Sequence, residues 1–186
     1  MILLALAVLA FIAVHLVAAI PPAKAALKAR FGKAYGPAFG ITSLVTLVLV
    51  ILAWRAREIV AVYEPPVWGR HATFTLVLIA FLALGVWIFR GSWRQKLRFP
   101  LAIATIFWGF GHLFVRGDAA SLILFGGIAA YGAAHLALGL AHGIRPSPEQ
   151  RNGHNLLSIL FGIAFYGVFT QLHAVLIGVA VLTLTN

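Results

Sequence analysis

Seven histidines and no cysteine define the chemistry open to this chain. Without thiolates, disulfides, iron–sulfur clusters and cysteine ligation are excluded. The acids are Glu58, Glu64, Asp118 and Glu149, too few and too scattered for a carboxylate-bridged pair of metals. Imidazole is what remains for ligation. His15, His112 and His135 fall well inside apolar runs, and His173 lies toward the end of another. His71 starts a run, and His142 and His154 stand at boundaries where water can satisfy them. An imidazole in hydrocarbon is costly unless it finds a partner, which makes the interior histidines functional candidates.

The neighbours of His112 on a helical face are Thr105, Trp108 and Gly109, which precede it by seven, four and three residues. Gly109 and Gly111 leave room beside the ring, and Trp108 offers a flat wall. A macrocycle held axially by histidine needs such a set: a nitrogen ligand, close backbone and aromatic packing. His15 has Phe11 four residues before it and Ala18 and Ala19 after it. The competing reading is that each imidazole hydrogen-bonds a carbonyl or hydroxyl across the bundle. That reading is favoured for His135, beside Tyr131 and Gly139, and more so for His142 and His154. Ser43, Ser121 and Ser158 lie in apolar runs without an acid–base partner at recognisable spacing, so they read as backbone-bonding helix residues rather than nucleophiles.

The elements that must carry these histidines are membrane spans. Of 186 residues, 62% are apolar and only 10% charged, whereas soluble domains carry roughly 25% charged residues. Six runs approach spanning length: Ile2–Ile20, Pro37–Trp54, Ala72–Phe89, Pro100–Val115, Ala119–Gly143 and His154–Leu184. The fourth is the weakest, and the hinge Arg116-Gly117-Asp118 after it supplies Asp118 as an N-cap for the fifth. The expected architecture is therefore an all-α, polytopic transmembrane helix bundle of about six spans, forming a single transmembrane domain over 1–186. The first run lacks a basic leading segment and is long enough to span, so it reads as a retained helix rather than a secretory signal. Gly36/Gly40 and Gly139/Gly143 form GxxxG pairs, read as ordinary bundle packing in preference to a dimer contact.

Lys and Arg number 14 against 4 Asp and Glu. The loops after the first, third and fifth spans hold 10 basic residues, and the second and fourth hold Arg55, Arg57, Arg70 and Arg116. The positive-inside rule then puts the first set in the cytoplasm and both termini outside. The basic residues sit between apolar runs, without a stripe of interleaved aromatics, so no nucleic acid is expected as a partner. The lipid bilayer is. On this topology, helix rise separates His15 and His112 by about 8 Å in depth, a gap that two axial ligands of one inclined iron could bridge. One haem or two remain open readings, as does the oligomeric state.

His15-Leu16 followed by Pro21-Pro22, a basic amphipathic stretch and Tyr35 looks like the opening of the NnrU family. PPVWGRH, Pro65 to His71, resembles its Pro-Pro-x-Trp-x-Arg-His signature. WGFGHLFVRGD, Trp108 to Asp118, is similar to its Trp-Ala-x-x-His-Leu-x-x-Asn-Gly-Asp, and LFGG, Leu124 to Gly127, follows at the right distance. The pieces cover nearly the whole chain in order. The resemblance implies a bacterial inner-membrane protein associated with nitrite and nitric oxide metabolism, related to the plant 15-cis-zeta-carotene isomerase, a membrane haem b protein. It further implies that His15 and His112 are axial ligands of haem iron, with Trp108, Gly109 and His71 around the cofactor. Gly109 stands where the isomerase has a cysteine that can replace a histidine, so that ligand exchange is unavailable here. Phe99-Pro100 replaces the family's His-Pro, and Arg116-Gly117-Asp118 its Asn-Gly-Asp.

Three functions follow as expectations. The first is a haem b protein supporting nitrogen-oxide metabolism or redox sensing, with a membrane redox partner. The second is a haem-dependent cis–trans isomerase of a lipophilic polyene substrate. The third is a non-enzymatic assembly or transport protein, ranked last because no buried acid marks a transport path.

Overall fold

The computed structural model describes residues 1–181. Helix α1 (Ile2–Ala19) is stopped at Ile20, whose backbone is extended, and Pro21-Pro22 start α2 (Pro21–Phe31). Proline suits these first positions because their N–H groups would lack helical partners anyway. The loop expected after the first span is thus largely helix. Its lysines and arginines lie exposed, and Gly32, at φ +53°, turns the chain into a short 3-10 segment and then α3 (Tyr35–Arg55). After a long connection come α4 (Gly69–Ile88), the short α5 (Ser92–Leu97) and α6 (Pro100–Leu113), the last opened by another proline.

The fifth span is interrupted. A single turn, α7 (Ala119–Ser121), passes through a π-helical stretch, Leu122–Gly126, into α8 (Gly127–Ala141). Asp118 caps α7 as expected, its carboxylate accepting from Ser121 N at 2.9 Å. Gly143, at φ +62°, ends this span, so it is a stop and not half of a helix-packing pair. The final helix, α9 (His154–Ile177), ends before Gly178 at φ +79°. The expected end of the sixth span, Leu184, lies outside the described residues.

Five stretches are long and apolar enough to cross a bilayer, namely α1, α2 with α3, α4, α7 through α8, and α9. Helix α6 has 14 residues, only about 21 Å of rise. Its shortfall is made good by the connection 56–68, which folds over its end. Tyr63 donates its hydroxyl proton to the carbonyl of Leu113 or, at 2.9 Å, of Arg116, and the N–H groups of Val62 and Tyr63 reach Gly117 O at 2.8 and 3.0 Å. Ala119 N donates to Val60 O at 2.8 Å. Non-helical backbone near a bilayer is tolerable only when satisfied in this manner.

The extensive contacts order the long helices as α3, α1, α8, α6, α4, α9, with α6 gripped on both sides. Side chains from both ends of this row line one common chamber, so the row is curled. The helices at its ends present much of their apolar surface outward, as with Ile41 (65% exposed) and Val175 (78%). In water such a surface would drive association; in lipid it is the matching face. Close approach between α6 and α8 requires Gly109, since an added Cβ would lie 2.9 Å from Ala129 Cβ and also strike Phe125 O. Gly36 and Gly40, by contrast, face nothing within 4 Å.

Candidate functional site

Met1 and the end of α9 share one face of the bundle, here the terminal face; the loops rich in lysine and arginine share the other, the basic face. His15 lies in α1 toward the basic face, and its Nδ1 is 2.7 Å from Phe11 O. His112 lies in the last turn of α6 toward the terminal face, with Nδ1 2.7 Å from Trp108 O. A carbonyl oxygen can only accept, so Nδ1 carries the hydrogen in both rings. In the neutral tautomer with that hydrogen, Nε2 keeps a lone pair with which to ligate. The competing reading of these two residues is thus partly realised: each does bond a carbonyl, but within its own helix, and one nitrogen stays open.

Both imidazoles line the same chamber, of ≈ 550 Å³. Cofactor pockets run roughly 300–1,000 Å³ with mostly apolar walls. Around His15 stand Phe11 at 4.1 Å between ring centroids, Phe39 at 5.6 Å and Tyr131 at 6.0 Å. Around His112, Trp108 is tilted at 4.6 Å and Phe125 is stacked at 4.5 Å, 15° from parallel. Phe125 and Leu124 belong to the π-helical stretch and also line the chamber. The wider winding re-aims side chains, a use to which such stretches are frequently put at functional sites. Tyr131 and Phe125 sit six positions apart on one span, so the two imidazoles differ by about 9 Å along it.

Two cations reach this chamber, Arg55 at the end of α3 and Arg116 just past α6. In sequence both read only as topological charges. Near them, Arg57 lies over Trp54 with its guanidinium 3.6 Å from the ring centroid. Burial and the neighbouring Arg116 lower its pKa, partly offset by Asp118. Burial raises the Asp118 carboxyl, but the hydrogen bonds of Ser121 and the charges of Arg116 and Arg57 outweigh it and leave a net depression.

The remaining sequence candidates fall in different places. Trp108 lines the chamber. Gly109 does not: it is spent on the α6–α8 contact, so the room it creates is taken by a helix and not by a ligand. His71 is exposed at the start of α4 and does not line this chamber. His173 does line the chamber with His112. His135 faces the Tyr131 hydroxyl at 3.5 Å, and His154 accepts from Arg90 N at 3.0 Å. Sequence reasoning missed Trp54, Phe125, Tyr131 and the two arginines. They come from α3, the hinge after α6 and the fifth span, and only the curl of the row brings them together. Among the described residues, no group of three or more His, Cys, Asp or Glu is placed to hold a bare metal ion.

Neither the curated proteins nor the solved structures include a match to this chain. The family model described as NnrU protein matches residues 3–181, nearly the full length and both histidine-bearing helices, α1 and α6. The chain belongs to the NnrU family.

Proposed function

We propose that this chain is a haem b-binding protein of the bacterial inner membrane, serving nitrite and nitric oxide metabolism or redox sensing, with both termini periplasmic. The observation that carries the reading is the pair His15 and His112: each is fixed through Nδ1, and each lines one apolar chamber with Nε2 unspent. A bare ion would lack ligands here, but a porphyrin brings four nitrogens of its own and asks the protein for one or two more. His15 and His112 would hold bound haem, which would supply a redox-active iron.

The chain's own residues do the rest. Each Nδ1–H bond holds its imidazole in orientation and tautomer and raises the basicity of Nε2. Trp108 and Phe125 give flat apolar walls that exclude water from the chamber. Arg55 and Arg116 offer guanidinium forks to the two propionates, the bidentate pairing that carboxylates favour. Among the described residues no acid lines the chamber to compete for them.

Protein purified from membranes should be coloured, with a Soret band, and His15→Ala or His112→Ala should shift or abolish it. A colourless, iron-free preparation from haem-replete cells would overturn the assignment.

One observation favours a second reading, a haem-dependent cis–trans isomerase of a polyene. The chamber is bordered by α3 and α9, the two ends of the row, between which no extensive contact exists. A lipophilic substrate could enter there from the bilayer. Reduced protein that leaves a poly-cis carotenoid unchanged would count against it.

A further inference from the structure

Beyond Trp108 and His112 lies a second chamber, of ≈ 590 Å³, bounded by α4, α6 and α9. Trp108, His112, Arg116, His173 and Ile177 line both chambers and form the partition between them. The lining of the second is ordered by depth. Arg70 in the first turn of α4, Arg116 after α6 and His173 near the end of α9 gather at the terminal face. Below them come Phe74, Phe169 and Trp108, and deeper still Val77, Phe81 and Tyr166. From Arg70 to Phe81 the rise of α4 is about 16 Å.

The hydrogen bonding of the polar end is specific. Arg70 gives one N–H to Val181 O at 3.1 Å, and a guanidinium has four more. His173 Nδ1 donates to Val179 O at 2.8 Å, leaving Nε2 as an acceptor. The hydroxyl proton of Thr73 goes to Gly69 O or Gly111 O, and that of Thr170 to Tyr166 O. Among the described residues no carboxylate lines the chamber, and Asp118, just past Arg116 in sequence, commits both its oxygens to Ser121. A ligand head therefore meets cationic donors together with one imidazole acceptor, above a tier of aromatic rings and an apolar floor. A fatty carboxylate would use the donors alone and gain little from the rings. A flat ring with carbonyl and hydroxyl oxygens uses all three.

We propose that the second chamber binds a membrane quinone in its reduced, hydroquinone form, a ring hydroxyl donating to His173 Nε2, the ring oxygens accepting from Arg70 and Arg116, and the tail running along the aromatic and apolar lining. Helix α9 packs extensively on α4 but not on α6, so the second chamber opens past the partition toward the first, whose α3–α9 side gives the tail its way to lipid. The proposal does not rest on haem: Arg116 is the one contact that a propionate would share, and Arg70 and His173 hold the ring without it. Where haem is also bound, the shared wall sets the quinone beside the His112 end of the first chamber.

The test is titration calorimetry of the purified full chain in detergent with a decyl-tailed benzohydroquinone kept reduced under argon. One saturable site per chain is expected. Arg70→Gln and His173→Ala should each weaken binding about tenfold, the scale of one lost hydrogen bond to a charged or well-placed polar group. Thr170→Trp, which projects an indole into the chamber, should abolish it. Arg70 and Thr170 line only the second chamber, so in these two variants any Soret band should persist unchanged. Gel filtration and circular dichroism confirm that each variant is folded. Wild-type affinity in folded Arg70→Gln and Thr170→Trp would overturn the proposal. So would a palmitate that displaces the hydroquinone with the same Arg70 dependence, since the site would then select a carboxylate and not a ring. Hydroquinone binding by a colourless protein would sustain this proposal while removing the haem reading.

Discussion

Asp118 joins the two halves of the terminal face, and its removal has a cost that follows from the contacts. The side chain is 7% exposed. One oxygen accepts from Ser121 N at 2.9 Å and the other from Ser121 Oγ at 2.7 Å, with Ser121 itself at 0% exposure. Replacing an N-cap aspartate by alanine costs about 1 kcal/mol, and the charged acceptor for a buried hydroxyl adds about 1.5–3 kcal/mol. Asp118→Ala should thus lose about 2–4 kcal/mol, which for a chain of this size is about 6–12 °C in melting temperature. Asp118→Asn should lose less, since its amide oxygen still caps α7. Thermal unfolding followed by light scattering and tryptophan emission in detergent reads both. The cap is separable by a double-mutant cycle with Ser121→Ala, where coupling of at least about 1 kcal/mol is expected. The pH dependence has a defined sign. The folded carboxyl is depressed, so its contribution is present above the usual carboxylate range and is lost as pH falls through the folded value, below 3.8. Asp118→Asn should remove that acid-side loss. Additive effects of the two substitutions, or a melting temperature of Asp118→Ala within a degree or two of wild type, would refute the assigned role.

Further outcomes follow from other contacts. Gly109→Ala should cost about 1–3 kcal/mol by forcing α6 from α8, read as a lower melting temperature, because the new Cβ meets backbone that cannot rotate away. Tyr63→Phe deprives the carbonyls of Leu113 and Arg116 of their donor and should lower stability by about 1 kcal/mol while leaving the helical content by circular dichroism unchanged. The chain has no cysteine, so single cysteines report topology without background. Val67→Cys, at a position 101% exposed, should react with an impermeant maleimide added to intact spheroplasts, and Ser147→Cys only after lysis. The opposite pattern would invert the orientation.

The spans were legible because hydropathy is written in every residue of them, and their bounds shifted only where a backbone device intervened. Pro21-Pro22 restarts a helix where charge alone suggested a loop, and Gly143 stops one two residues past its last helical turn. His15 and His112 were legible because imidazole stands out in an apolar run. Gly109 was misjudged in its role, since a small residue three positions from a histidine can serve a cavity or a helix contact, and only the position of α8 decides. Phe125 was invisible for a related reason. Regular α-helix through Leu122–Gly126 would aim it elsewhere, and nothing in the sequence announces the π-helical winding. Arg55 and Arg116 carry the same letters as topological charges; their distinction is that both helices end beside the chamber.

The shortness of α6 links the fold to the chemistry. A fourth span of full length would carry His112 deeper than one turn from its end and would bury the chamber mouth under its own continuation. Ending at Leu113 instead, α6 leaves carbonyls that Tyr63 covers and a hinge that Arg116 and Asp118 occupy with opposite charges. The hinge turns the chain directly into α7, and the π-helical stretch then brings Phe125 back against the His112 ring. A span too short for the bilayer, a polar hinge and an irregular helix are each unfavourable alone. Together they place one imidazole, one guanidinium and one aromatic wall around the same opening, which a bundle of regular helices would not do.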